Sequence, residues 1–307
     1  MAAAPVLGAP VKRALAAAIA ALATTHVSAE TYYLIVAGLG GEPRYEESFA
    51  SSARTLVQAA TRTLSGDERV ILLSGADAHR DAVVAELEGL AERATETDTV
   101  AVFLIGHGSF DGEQYKLNLP GPDLEGDALA QLFDAIPARQ QVLVNTTSAS
   151  GAVLERWTTD GRTVITATRS GGERNATRFA EQWAMALGSD EADANKNGAI
   201  TVQEAFDFAS RKVSDSFEAN GSLATEHSQL AGDGALAFNI ALLSERIATT
   251  DELRELISRL ETLEVEIAAL RARREQMDPD AYLDELQALL LELALVQREI
   301  DAARAVD

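Results

Sequence analysis

The chain has 307 residues, of which 47% are hydrophobic, and it carries a formal net charge of −22 and no cysteine. This length allows one large domain or two smaller ones. The excess of acidic residues argues against nucleic acid, and against an anionic membrane surface, as a partner. The lack of cysteine excludes disulfides, thiolate metal sites and a cysteine nucleophile within this chain.

Residues 1–29 have the features of a secretory signal peptide. Lys12 and Arg13 form a basic region, residues 14–23 form a short apolar segment, and Ala29 ends a small-residue cleavage site. An N-terminal amphipathic helix is the alternative interpretation. The apolar segment is too short to span a bilayer, and no later stretch of the sequence is long enough. We therefore expect an exported protein, periplasmic or secreted, that does not span a membrane.

Residues 30–245 alternate between strand-like and helix-like segments. Apolar, β-rich runs predict strands at 31–37, 69–73, 99–106, 142–144 and 162–168. Apolar residues at helical spacing predict helices at 46–64, 80–94, 128–136, 177–187 and 202–214. A glycine- and aspartate-rich stretch at 108–127 predicts a loop with a short hairpin. Strands without polar alternation between helices predict an α/β fold with a mainly parallel sheet flanked by helices.

Residues 246–307 have a different pattern. Two leucine-rich heptad seams are interrupted at Asp278, Pro279 and Asp280, which predicts an antiparallel helical hairpin of the coiled-coil type. Such a hairpin packs on itself or on the α/β domain. Alternatively, residues 250–304 pair with another copy or with a partner protein, which would make the chain a homo-oligomer or an assembly module.

Polar segments follow two of the predicted strands. The first is the pair His107 and Gly108, directly after the strand at 99–106, and the second contains Ser148, shortly after the strand at 142–144. In a parallel sheet, functional sites gather beyond the carboxyl ends of the strands. We therefore expect both segments at one edge of the sheet.

These segments resemble the caspase/legumain-like clan of cysteine peptidases. His107 and Gly108 resemble the clan's His-Gly, and Ser148 stands where the clan has its cysteine, in a segment that reads Thr147, Ser148, Ala149, Ser150, Gly151. The segments 165–168 and 170–175 resemble the next strand and loop of bacterial members. The resemblance covers roughly residues 31–240 and implies a caspase-like fold in a member that lacks the catalytic cysteine.

The resemblance also implies roles for these residues. His107 would act as general base or acid, and backbone N–H groups near Gly108 and the nucleophile would stabilise an oxyanion. A serine hydroxyl, unlike a thiol, needs a well-aligned base that is commonly oriented by a carboxylate. Asp111 and Glu113 follow His107 in a loop, and the sequence does not show that either orients it.

The replacement of the cysteine leaves three interpretations. The first is a catalytically impaired homologue that binds a peptide or protein. The second is a serine-dependent hydrolase that uses Ser148 and His107, with Thr146, Thr147 and Ser150 as weaker nucleophile candidates. The third is an assembly protein that acts through the helical hairpin.

Residues 193–204 match the twelve-residue calcium loop of an EF-hand. Gly198 occupies the position of the sharp turn. The expected Ca²⁺ ligands are Asp193, Asn195, Asn197, the Ala199 carbonyl, Thr201 and Glu204. Since two of these ligands carry a full charge, we expect a weak site. The alternative is an Asn/Gly turn in which Glu204 complements the dipole of the following helix.

His79 and His227 have no metal-ligand spacing to another histidine, and we interpret both as surface residues. The glycines at 38–41 match no phosphate-binding motif.

Overall fold

The structure is a computed structural model. It describes residues 29–232, 234–235, 238–243 and 251–304. The predicted signal peptide therefore lies, except for Ala29, outside the described residues, as does segment 244–250 before the hairpin. Within the described ranges, no helix is long and apolar enough to cross a membrane.

Eleven strands and eight α-helices make up the described part of the chain. The strands are β1 (Thr31–Ala37), β2 (Val70–Ser74), β3 (Thr99–Ile105), β4 (Gly108–Phe110), β5 (Tyr115–Leu117), β6 (Leu124–Glu125), β7 (Gln140–Asn145), β8 (Arg162–Thr166), β9 (Ala199–Thr201), β10 (Gln229–Ala231) and β11 (Asn239–Leu242). The helices are α1 (Pro43–Leu64), α2 (Arg80–Arg93), α3 (Gly126–Asp134), α4 (Leu154–Trp157), α5 (Phe179–Ala186), α6 (Val202–Ala219), α7 (Asp251–Ala272) and α8 (Pro279–Arg304).

A six-stranded sheet in the order β10-β8-β7-β3-β1-β2 lies at the centre of the α/β domain. All neighbouring strands run parallel except β10, which pairs antiparallel with β8. Phe103 of β3 lies opposite Ile35 of β1 on one side and Val144 of β7 on the other. Each of these side chains is fully buried, as expected for the inner strands of a sheet covered on both faces.

Helices pack on both faces of this sheet. Helices α1, α5 and α6 cover one face with a core that includes Phe103 and Trp183. Helices α2 and α3 cover the other face with a core that includes Phe133 and Trp157. The predicted fold class, a mainly parallel sheet flanked by helices, is confirmed.

Three of the short strands were not predicted from the sequence. β10, with three residues, forms the antiparallel edge of the sheet, and β9 pairs antiparallel with β11. Strands this short carry too few residues for an alternation pattern, and their pairing depends on distant parts of the chain. Helix α1 begins at Pro43, three residues earlier than predicted, because proline is favoured at the first helical position.

The C-terminal helices form the predicted antiparallel hairpin. Arg273, near the end of α7, lies 3.7 Å from Glu285, near the start of α8. Arg259, earlier in α7, donates to Glu292, further along α8, at 3.0 Å. The hairpin has a small apolar core of its own, which includes Leu260 and is separate from the two cores of the α/β domain.

Candidate functional site

The two predicted site segments meet at the carboxyl edge of the sheet. Strands β3 and β7 are parallel neighbours, with Leu104 opposite Asn145. A Cβ added at Gly108 would lie 2.6 Å from Thr147 Oγ1 and would collide with the carbonyl oxygen of Ser148. Backbone therefore touches backbone between the His-Gly turn and the Ser148 segment, and only glycine fits at this contact.

The ring of His107 is held by its Nε2 atom, which lies 3.0 Å from the carbonyl oxygen of Gly40. Since a carbonyl only accepts hydrogen bonds, Nε2 carries the proton in the neutral ring and Nδ1 presents a lone pair. Tyr45 and Phe49 pack edge-on against the ring, with centroids 5.0 and 5.2 Å away. In this tautomer, the second ring nitrogen of the half-buried His107, Nδ1, is unprotonated and available as a base.

Gly40 is a site residue that the sequence analysis missed. A Cβ at this position would lie 2.6 Å from the carbonyl carbon of Tyr45, so α1 starts too close to the loop for any larger residue. The Gly40 N–H donates to Glu46 Oε1 at 3.0 Å. The glycine run carries no motif that identifies a histidine partner, because that contact depends on how the loop after β1 meets the end of β3.

Neither carboxylate that follows His107, Asp111 or Glu113, has a contact with its ring, and Asp111 is engaged elsewhere. Asp111 Oδ1 accepts from the backbone N–H groups of Glu113 and Gln114, at 3.0 and 2.8 Å, and so closes its own turn. Among the described residues, no carboxylate accepts from His107. A backbone carbonyl fixes the ring instead of the Asp or Glu that serine hydrolases commonly use.

Ser148 is almost fully covered. It is 3% exposed, and its hydroxyl makes no hydrogen bond to His107 or to any other described residue. The next residue, Ala149, has a left-handed backbone with φ of 57°. Such backbone in a residue other than glycine is uncommon and is found at functional sites, where surrounding contacts hold it in place.

The weaker nucleophile candidates all take part in buried hydrogen bonds. Their contacts are Thr146 Oγ1 to Leu104 O at 2.8 Å, Thr147 Oγ1 to Asn145 Oδ1 at 2.8 Å, and Thr168 N to Ser150 Oγ at 3.2 Å. These three hydroxyls therefore hold the segment in place.

A buried polar cluster supports the Ser148 segment from below. Tyr115, from β5, has its hydroxyl 2.6 Å from Thr147 Oγ1 and 3.3 Å from Asn145 Oδ1. Burial raises the pKa of Tyr115 to about 12, so the phenol stays neutral. Asn145 Nδ2 is buried without a hydrogen-bond partner in the described part of the chain. Strand β5, in the part of the chain that connects β3 to β7, thus holds the segment that carries Ser148 in place.

Glu173 and His227 join the site from two loops that are 54 residues apart in sequence. His227 Nδ1 lies 2.6 Å from Glu173 Oε1, and the Glu173 carbonyl accepts from Ala149 N at 2.8 Å. Burial raises the pKa of Glu173, but hydrogen bonds from Arg169 N and His227 outweigh it and leave the pKa below its ordinary value. His227 is exposed, as interpreted from the sequence, and it also has a structural partner in Glu173.

Glu226, beside this pair, is a second buried carboxyl that the sequence did not reveal. It is 5% exposed, and its two oxygens accept from Arg178 N at 3.0 and 2.8 Å. Burial raises its pKa to about 7, although the contacts with Arg178 act in the opposite direction.

We expect Glu226 to make stability depend on pH. Its pKa is raised from about 4.5 in the unfolded chain, so the folded chain binds the proton more tightly. The free energy of unfolding should therefore fall as the pH rises from about 4.5 to about 7, by about 2–3 kcal/mol in total. Urea denaturation should show that, between pH 5 and pH 8, the free energy of unfolding of Glu226→Gln rises relative to that of the wild type by that amount. The exposed Asp215→Asn is the matched control, and an equal difference at both pH values would contradict the assignment.

The predicted calcium loop folds around Asp193. Its carboxylate accepts from Asn197 N at 3.0 Å and from Gly198 N at 2.8 Å. Lys196 and Gly198 both have positive φ, at 55° and 86°. The sharp turn expected at Gly198 is present, and it brings the first half of the loop back over its first residue.

Glu204 closes the loop from the other end. Its Oε1 accepts from Ala194 N at 3.0 Å, and its Oε2 accepts from Thr201 N at 2.9 Å. Glu204 N donates back to Thr201 Oγ1 at 3.1 Å, which completes a capping box at the start of α6. Burial, together with the charge of Asp193, raises the pKa of Glu204. The last residue of the loop thus lies beside its first two residues while also capping a helix, as the alternative interpretation requires.

The donor atoms of the loop suit a hard cation. In the described residues, no three His, Cys, Asp or Glu side chains are grouped as a metal site. A metal ion would therefore need amide and backbone oxygens besides carboxylates, which is the mixture that Ca²⁺ uses. Asn197 is fully buried in the loop, and its Nδ2 has no hydrogen-bond partner among the described residues. Nδ2 is a donor and does not ligate a cation, whereas Asn197 Oδ1, the oxygen that could, accepts from Ala199 N at 2.8 Å.

No protein-family model matches this sequence, and no curated protein matches it. Solved structures do match. A protein from Geobacter sulfurreducens matches with 11% identity and a TM-score of 0.46, over 67% of this chain and 96% of that chain. The Drosophila initiator caspase Dronc matches with 11% identity and a TM-score of 0.39, over 67% of this chain and 80% of that chain. These are likenesses of fold alone.

Proposed function

We propose that this chain is a caspase/legumain-like protein without peptidase activity that binds a peptide or another protein. The observation that carries the proposal is Ser148, which is 3% exposed and has no base within hydrogen-bond distance among the described residues. A serine hydroxyl that no neighbouring base activates is a poor nucleophile. Because the chain has no cysteine, the scaffold also lacks the thiol that the resemblance implies.

The proposed binding surface is the carboxyl edge of the sheet. Loops from different strands meet there: His107 contacts Gly40 in the loop after β1, and Gly108 contacts the Ser148 segment. A Cβ at Gly171 would collide with the ring of Phe110, so the loop after β8 also closes on β4. Edges of this kind, beyond the strand ends of a parallel sheet, are where ligands bind in α/β proteins.

A serine-dependent hydrolase is the second candidate. It is favoured by the tautomer of His107, because the bond from Nε2 to Gly40 leaves Nδ1 as a base. Catalytic hydrogen bonds are often long in free enzymes and shorten with substrate. In that reading, ligand binding would bring Ser148 and His107 together.

Labelling with a fluorophosphonate probe, followed by intact mass, separates the two candidates. We expect no adduct on the wild-type protein, because no base activates the Ser148 hydroxyl. Ser148→Ala and His107→Ala test whether any adduct depends on the pair, and Ser109→Ala removes an exposed serine near the same edge as a control. An adduct that both site substitutions abolish, and the control does not, would overturn the proposal in favour of the hydrolase.

We also propose that residues 193–204 bind Ca²⁺. Asp193 and Glu204 would supply the charge, and Asn195, Asn197, Thr201 and the carbonyl of Ala199 would supply neutral oxygens. The ion would offset the repulsion between two carboxylates that the fold holds close together. A weak site suits an exported protein, because calcium outside the cell can be millimolar. Export through the signal at residues 1–29 is part of this proposal.

A further inference from the structure

The hairpin meets the calcium loop through polar groups. Asn195, in the loop, donates through Nδ2 to both carboxylate oxygens of Glu264 on α7, at 2.9 and 3.1 Å. Asn239, at the start of β11, donates to Glu261 one turn earlier on α7, at 3.3 Å. The apolar core of the hairpin is separate from those of the α/β domain, so these polar contacts contribute much of the specificity of docking.

Glu264 fixes the orientation of the Asn195 amide. A carboxylate only accepts hydrogen bonds, so the amide NH₂ group must face α7. The amide oxygen of Asn195 then faces the loop, where it accepts from Asn197 N at 3.0 Å. This is the oxygen that the loop pattern assigns to the ion. Partners that orient a ligand in this way commonly change metal affinity by about 10–100-fold.

The same contact brings like charges together. A cavity of about 350 Å³ lies between the loop and the hairpin, and it is lined by Glu204 and Glu264, with Arg271 as a cation. Asn195 lies between these two carboxylates, because it donates through Nδ2 to Glu264 and through its backbone N–H to Glu204 Oε1 at 3.4 Å. Docking the hairpin therefore adds a carboxylate to a loop that already holds two.

We propose that Ca²⁺ in the loop fastens the C-terminal hairpin to the α/β domain, with Glu264 as the positioning residue that orients Asn195. The inference rests on the proposed calcium site. A divalent cation would offset the repulsion of Glu264 by Asp193 and Glu204, while Glu264 presents the Asn195 oxygen to the ion. Because coupling between two equilibria is reciprocal, calcium strengthens docking of the hairpin and docking strengthens binding of calcium.

The test uses the full mature chain, with calcium titrated by calorimetry and amide hydrogen exchange of α7 followed in calcium and in chelator. Calcium should slow exchange in α7 of the wild type at least tenfold. Glu264→Gln keeps an acceptor for Asn195 but removes the charge. We expect it to bind calcium about tenfold more weakly and to lose the calcium dependence of exchange in α7. Glu266→Gln, an exposed acid on the same helix, is the matched control and should resemble the wild type.

The outcomes distinguish this inference from the calcium site itself. A wild-type protein that binds no calcium overturns both. Calcium binding that leaves exchange in α7 unchanged, with equal affinities for wild type and Glu264→Gln, overturns the coupling and leaves the site standing. The exchange measurement on the wild type needs no variant, so a poorly folded Glu264→Gln would not rescue the proposal.

Discussion

Calcium is expected to raise the melting temperature of this protein by roughly 5–10 °C when its free concentration is a hundred times the Kd. A ligand that binds only the folded state at this concentration adds about 2.7 kcal/mol of stability. For a chain of this size, each kcal/mol corresponds to about 2–4 °C. The effect is large because the loop geometry, with Asp193 and Glu204 held side by side, exists only in the folded chain.

The substitution that tests this effect is Glu204→Gln. Glutamine keeps an oxygen that can accept from Ala194 N or Thr201 N. It removes the charge and one of the two oxygens that would bind the ion. We expect the thermal shift between calcium and chelator to disappear. Glu218→Gln, an exposed acid near the far end of α6, should keep the shift. Equal melting temperatures of the wild type in calcium and in chelator would contradict calcium binding and leave the loop as a capped turn only.

Replacing Gly151 with alanine should cost about 3 kcal/mol of the free energy of unfolding, at the upper end of the overpacking range. The new Cβ would collide with three backbone atoms of the segment after β8, in Thr168, Arg169 and Ser170. Backbone atoms cannot move aside to relieve such a collision, as the end of a flexible side chain can. The substitution would therefore push the Ser148 segment away from the loop that carries Glu173. It would also break the hydrogen bond from Gly151 N to Thr168 Oγ1.

Urea denaturation provides the measurement for Gly151→Ala. The matched control is Gly172→Ala, in the neighbouring loop, where the new Cβ would meet only the Ser170 hydroxyl oxygen at 3.4 Å. We expect the control to change stability by less than about 0.5 kcal/mol. A wild-type denaturation midpoint for Gly151→Ala would mean that the two segments are less tightly packed than the structure shows.

Local hydrophobic patterns were sufficient to predict the main strands and helices. β1 and β3 are apolar on both faces because helices cover both faces of the sheet, and that property is visible in the run of residues itself. The two heptad seams predicted the hairpin for the same reason, since a helix that packs along one stripe must repeat apolar residues every three to four positions. That the segments carrying His107 and Ser148 lie at one edge also follows from sequence, because parallel strands end at the same edge.

Only the tertiary structure decided what surrounds those two residues. Gly40 holds His107, Glu173 pairs with His227, and Glu264 holds Asn195, with the partners of each pair 67, 54 and 69 residues apart. Such contacts depend on how loops cross and how the hairpin docks, and no spacing within a segment encodes either. The sequence by itself determined the elements and the edge at which the site lies. The folded chain decided which carbonyl, carboxylate or amide each site residue faces, because those distances are set by packing between elements far apart in the chain.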